Sequence, residues 1–251
     1  MDTTPLPNGS NGSDDAKLRI YFLPNLMTAG NLFCGFLAIT KIVEPELKAP
    51  YPNIRAALLY ILLACIFDLL DGRVARMVGK ESPFGREFDS LADVVSFGVA
   101  PAFLVYRIVL RDVFVDAPEL GWLIAAVYLI CGAFRLARFN ITTDGKVHKY
   151  SQGLTITMGG GTVASMVMWQ ADRGISEAVH PGMVAIFTLT TALLLISSVP
   201  YRTMKTMRRN AKTMFGILLF FAAFLIGGVM YDISAVLVTL GLAYVVSGPA
   251  E

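Results

Sequence analysis

Charge is what this chain has least of. Only 16% of its 251 residues are Asp, Glu, Lys or Arg, whereas a soluble domain carries about 25%. With 55% apolar residues and a mean hydropathy of +0.61, length is better counted in membrane spans than in soluble domains. Cysteine is also sparse. Cys34, Cys65 and Cys131 all fall inside apolar runs, and no metal-binding or redox spacing links them, so they read as packing residues. The two histidines, His148 and His180, fall in loops on opposite faces and cannot share a ligand set. No P-loop or kinase motif is present. A net charge of +2, without a basic stripe among aromatics, argues against nucleic acid as a partner. Met1 to Ala16 is polar and reads as a disordered tail; it lacks the basic start and early apolar run of a signal peptide.

What the chain does have is long apolar runs. Eight are visible: Tyr21–Val43, Ile54–Leu70, Ser90–Leu110, Leu120–Phe139, Leu154–Trp169, Met183–Val199, Met214–Met230 and Ile233–Val246. They predict an all-α, polytopic transmembrane bundle of about eight spans, with six plus a less regular C-terminal pair as the alternative. The expected divisions are a tail over 1–16, a membrane domain over 17–212 and a C-terminal hairpin over 213–251. Fifteen of the 21 Lys and Arg residues fall on the side that carries both termini and the loop after the second span, and six fall on the other. By the positive-inside rule both termini and that loop are cytoplasmic.

Against this background four aspartates stand out. A charged side chain at the centre of a membrane helix costs about 2.5–3.5 kcal/mol on insertion scales. Yet Asp68, Asp71, Asp89 and Asp93 all sit beside or within apolar runs. Asp68 and Asp71 are three apart, and Asp89 and Asp93 four apart, so each pair shares a helix face. A hairpin turning around Lys80–Phe84 would bring the pairs together near the cytoplasmic surface. The result would be a cage of hard oxygen ligands suited to Mg²⁺ or Mn²⁺, large enough for two ions in phosphoryl chemistry. Gly72 leaves room for a ligand to approach the backbone, and Arg76 offers a fork for phosphate. The plainer alternative is a set of interfacial helix-end charges paired with Arg76 and Arg86.

The run Asp68-Leu-Leu-Asp71-Gly72-Arg-Val-Ala75-Arg76, followed after eight residues by Gly85, then by Asp89 and Asp93 at intervals of four, resembles the signature of the CDP-alcohol phosphotransferase family at every fixed position. Pro24-Asn25-Leu-Met-Thr28-Ala-Gly-Asn31, Ser96-Phe-Gly-Val-Ala-Pro101 and Arg135-Leu-Ala-Arg138-Phe-Asn140 resemble its phosphatidylserine synthase branch, over roughly residues 20 to 200. The resemblance implies that Asp68, Asp71 and Asp89 ligate the metal that holds the pyrophosphate of CDP-diacylglycerol. It implies that Asp93 completes a second metal site and serves as general base. Gly72, Arg76, Ser82 and Gly85 match positions around the CDP moiety, and Thr28 and Asn31 border the same pocket. The implied reaction is attack by the hydroxyl of L-serine on the phosphatidyl phosphorus, releasing CMP, in a homodimeric membrane enzyme embedded among lipids.

Other features leave more than one reading open. Arg135 and Arg138 could hold the carboxylate of serine or a lipid phosphate, or simply obey the positive-inside rule. Lys205, Arg208, Arg209 and Lys212 read as an anchor on anionic headgroups. Gly159-Gly160-Gly161 reads as a surface for close helix packing or a dimer contact. Thr155 departs from the branch, which commonly has proline after Gly-Leu, so the local backbone there is open. The same chemistry on another alcohol, such as glycerol 3-phosphate, inositol phosphate or a polyol, is the nearest alternative. A divalent-metal transporter is the alternative from a different class.

Overall fold

The computed structural model describes residues 11–44, 52–78, 82–142, 150–172, 181–202 and 233–250. Within them lie seven helices: α1 (Asn11–Val43), α2 (Pro52–Val78), α3 (Pro83–Val113), α4 (Pro118–Thr142), α5 (Ile156–Asp172), α6 (Pro181–Ile196) and α7 (Ile233–Ala250). Two three-residue strands, β1 (Tyr150–Gln152) and β2 (Pro200–Arg202), pair antiparallel. Apart from short connections, the described residues are otherwise helical. The expected span Met214–Met230, the basic cluster at 205–212 and both histidines lie outside the described residues. Helix α1 begins at Asn11, inside the stretch expected to be tail.

Among the described residues, four helices are long and apolar enough to cross a membrane: Phe22–Val43, Pro52–Gly72, Pro83–Val113 and Pro118–Ile141. Phe22, Leu59, Phe134 and Leu193 point large apolar side chains outward, the pattern of a bundle that faces lipid rather than water. Helices α1 and α2 pack along each other, α4 packs on α6, and α7 on α5. Helix α5 is the buried element. Its residues from Thr162 to Met168 are all buried, so it is surrounded by protein rather than lipid.

The middle of α3 shows why the bundle closes where it does. Pro101 has no N–H, so the carbonyl of Phe97 four residues earlier loses its helical partner. Two π-helical segments, Val94–Val99 and Tyr106–Leu110, accompany this break. The buried hydroxyl of Tyr128 on α4 donates to the Phe97 carbonyl at 2.9 Å and repairs the loss. On the other side, Gly160 of α5 lies so close that a Cβ there would sit 2.7 Å from the same carbonyl oxygen. Close helix packing is therefore what Gly160 provides, whereas Gly161 meets nothing within 4 Å.

The β1–β2 pair fixes the entry to α5. Gly153 follows β1 with φ of +79°, a conformation that disfavours any side chain, and a Cβ there would lie 2.6 Å from the Leu195 carbonyl. Gly153 donates to Val199 O at 2.9 Å and Leu154 to Leu194 O at 3.0 Å. This tight turn settles the backbone question raised by Thr155.

Candidate active site

Helix α2 carries Asp68 and Asp71 at the end of its membrane span, and α3 returns with Asp89 and Asp93. The return is set locally: Ser82 caps α3 by accepting from the Gly85 N–H at 2.9 Å, and Pro83 occupies the first turn. The two helices converge. One carboxylate oxygen each from Asp68, Asp71 and Asp89 lies within 4.8 Å of the others. Asp93 does not join that group, yet it lies close enough to feel the charge of all three. Asp71 and Asp93 are 5% and 6% exposed, so water cannot solvate them fully.

Neutral donors from two other helices hold the carboxylates. Thr28 on α1 donates to Asp71 Oδ2 at 3.0 Å, and Asn31, one turn on, donates to Asp93 Oδ1 at 3.0 Å. Thr157, in the first turn of α5, donates to Asp68 Oδ2 at 3.1 Å. Asn31 is itself fixed, since its carbonyl accepts from Ser96 Oγ at 3.0 Å. Donors of this kind orient carboxylates without neutralising them, so the mutual repulsion persists in a poorly solvated site. A hard divalent cation relieves that repulsion, and an all-oxygen, acid-rich donor set fits Mg²⁺ or Mn²⁺ rather than a soft metal.

The remaining expected residues separate into two groups. Gly72 directly follows Asp71 at the end of the span. Gly85 sits against α1, where a Cβ would lie 3.2 Å from Asn25 Oδ1. Ser82 spends its side chain on the cap just described. Arg76 belongs to the last turns of α2, but its side chain lies outside the described residues. Arg138 donates to Ile196 O at 2.8 Å and Ser197 O at 3.1 Å, which caps the C-terminal end of α6. Arg135 is buried, with its guanidinium 5.5 Å from the centre of the Phe139 ring and within electrostatic reach of Asp93 and Asp68. Both arginines line a groove of about 430 Å³ between α4 and α6, together with Ile130, Cys131, Phe134 and Ile196.

Sequence reasoning missed Thr157. Thr157 lies in a plain apolar run, and only the tertiary turn at Gly153 brings it to Asp68. It also left α7 without a role.

These features define a class: an integral membrane helical protein whose acidic residues, gathered at one end of two spans, can hold hard divalent cations. The model of the CDP-alcohol phosphatidyltransferase family matches residues 21–196, and the chain belongs to that family. A CDP-diacylglycerol–serine O-phosphatidyltransferase of Helicobacter pylori is 33% identical over 201 residues, covering 80% of each chain. Its counterpart from Mycobacterium leprae is 34% identical over 194 residues, 75% of this chain but only 61% of that relative's length. An archaetidylserine synthase of Methanothermobacter thermautotrophicus is 34% identical over 191 residues, 75% of this chain and 73% of the relative.

Proposed function

We propose that the protein transfers the phosphatidyl group of CDP-diacylglycerol to the hydroxyl of L-serine, giving phosphatidylserine and CMP. The observation that carries this reading is the convergence of Asp68, Asp71 and Asp89 within 4.8 Å, with Asp93 held beside them by Asn31. The names of the relatives support serine as acceptor, because the diacylglycerol-type and archaetidyl-type relatives both carry it.

Asp68, Asp71 and Asp89 would hold Mg²⁺ or Mn²⁺, with Asp93 completing a site for a second ion. When bound, such ions neutralise charge on phosphate oxygens as Lewis acids. The side chains do the rest. Thr28 and Thr157 keep the carboxylates of Asp71 and Asp68 turned toward the shared centre. Arg76, one helical turn beyond Gly72, offers its fork to a phosphate. Gly72 and Gly85 keep the backbone clear for the nucleotide. Asp93 takes the serine proton as the hydroxyl oxygen bonds to phosphorus, and the bond from phosphorus to the CMP oxygen breaks. A serine hydroxyl is a weak nucleophile at neutral pH, so a positioned carboxylate is required. No ATP enters, because the lipid arrives already activated.

The cluster at the end of the α2 span would face the cytoplasm, as the Lys and Arg distribution argues, and open sideways to lipid for the acyl chains. We also infer eight spans, cytoplasmic termini, the three divisions at 1–16, 17–212 and 213–251, and a homodimer. The test is CMP release from CDP-diacylglycerol by purified protein with Mg²⁺ or Mn²⁺ and a panel of alcohols. Release with L-serine is expected. Release with glycerol 3-phosphate or inositol phosphate instead would move the protein to a sister activity, and no release with any alcohol would refute transfer.

A further inference from the structure

We infer that Arg86 binds the phosphate of the CMP half of CDP-diacylglycerol, the half that leaves. The inference deepens the transfer reading above and rests on it. Its starting point is a guanidinium that the fold has buried without satisfying. Arg86 is half-buried, and its Nε is shut off from water with no acceptor within hydrogen-bonding distance. Among the described residues no carboxylate forms an ion pair with it either. The pairing of Arg86 with the aspartates that the sequence left open is thus absent among the described residues.

The faces of α3 show where Arg86 stands. Gly85 meets α1, where a Cβ would lie 3.2 Å from Asn25 Oδ1. Glu87 and Ser90 meet α4, both through Asn140 Nδ2, at 3.3 Å and 3.0 Å. Phe84 and Leu91 turn outward and are exposed, and the Phe84 ring stacks on that of Phe88. Arg86 lies between the α1 and α4 faces and opposite the outward one. It shares this inner face with Asp89, three residues on, and Asp93, seven residues on. At 1.5 Å of rise per residue it stands about 4.5 Å before Asp89 and about 10.5 Å before Asp93 along the helix axis. From the start of α3 inward, the order is guanidinium, cluster carboxylate, base.

Charges along this face are segregated rather than paired. Asp89 shares its cluster with Asp68 and Asp71, and Glu87 accepts from Asn140. Acids gathered without bases suit a cation, and a desolvated guanidinium without an acid suits an anion. A pyrophosphate bound through a divalent cation presents both at once. Serine attacks phosphorus beside Asp93, so the departing phosphate lies toward the start of α3, where Arg86 is. As the hydroxyl oxygen bonds to phosphorus and its proton passes to Asp93, the electron pair of the broken P–O bond goes to the CMP phosphate. The guanidinium meets that added charge. The carboxylate of serine is the other anion of the reaction, but it stays with its hydroxyl at the Asp93 end of the face.

The experiment compares wild type, Arg86→Gln and Arg86→Lys. It measures equilibrium binding of radiolabelled CMP with Mn²⁺ present, KM for CDP-diacylglycerol and for serine, Mn²⁺ binding without nucleotide, and thermal stability in detergent. Arg86→Gln is expected to weaken CMP binding about 10- to 100-fold and to raise the CDP-diacylglycerol KM in the same direction. The serine KM and stability should not change, and Mn²⁺ binding should hold or tighten. Arg86→Lys keeps the charge without the fork and is expected to recover part of the loss. Unchanged CMP binding in Arg86→Gln overturns the proposal. So does a shift confined to the serine KM, or a loss of CMP binding matched by equal losses of Mn²⁺ binding and stability. If wild type binds no CMP with Mn²⁺ present, the transfer reading fails and the role of Arg86 with it. If wild type binds CMP and Arg86→Gln does not, but no alcohol is accepted, transfer alone fails and Arg86 stands as a phosphate ligand.

Discussion

The two ends of the bundle use the same residue types to opposite effect. At the end away from the aspartate cluster, acids meet bases one to one: Arg55 of α2 pairs with Asp172 of α5 at 2.7 Å, and Lys41 pairs with Glu44 at 2.8 Å. These pairs are partly exposed and sit where solvent or headgroups screen them. At the other end three carboxylates crowd within 4.8 Å, and the donors that aim them are two threonines, with an asparagine doing the same for Asp93. Pairing acids with bases ties helices together. Gathering acids and orienting them with neutral donors builds a place for a cation.

The sharpest way to break this contrast is Asp93→Asn. The substitution keeps the Asn31 contact geometrically feasible but removes the base, so CMP release is expected to fall by about 10²- to 10⁴-fold. Binding of CDP-diacylglycerol should survive, and its loss in a binding assay would make Asp93 chiefly a metal ligand. Next in size are the neutral donors. Thr157→Val and Thr28→Val leave every carboxylate in place but remove what aims them, so the Mn²⁺ requirement for activity is expected to rise by about 10- to 100-fold. A metal titration of initial rates checks this, and an unchanged requirement would demote both threonines to helix packing.

Smaller effects belong to the frame. Tyr128→Phe leaves the Phe97 carbonyl, already deprived of its helical partner by Pro101, without its hydrogen bond. Interhelical hydrogen bonds in membranes average about 0.6 kcal/mol and reach about 1.7 kcal/mol; this one should fall toward the upper value, read as reduced thermal stability with KM unchanged. At the opposite end, Arg55→Ala breaks the pair with Asp172 and is expected to cost under about 1 kcal/mol, with no change in metal dependence. A large loss of activity from that substitution would erase the distinction between the two ends.

Much of this was legible in the residues alone. The aspartate spacing gave away the cage because helical periodicity and the cost of charge in lipid are local rules, and both operate on Asp68, Asp71, Asp89 and Asp93. Thr28 and Asn31 were placed beside the site only by resemblance, and each proves to hold an aspartate. Thr157 could not be read in advance, since its contact with Asp68 depends on a left-handed turn at Gly153 and on a short β pair, both set by long-range contacts. Arg138 illustrates the converse: an arginine beside a proposed substrate pocket is occupied by the end carbonyls of α6. Ser82, expected near the nucleotide, is occupied as a helix cap, a role that the Ser-Pro pair before an amphipathic run would have signalled.

The most direct measurement is Mn²⁺ binding by the purified protein, followed by electron paramagnetic resonance, for wild type beside Asp71→Asn and Asp89→Asn. Saturable binding by wild type, strongly weakened in both variants and unaltered in Arg55→Ala, is the predicted result. Equal Mn²⁺ binding by wild type and by the aspartate variants would contradict it.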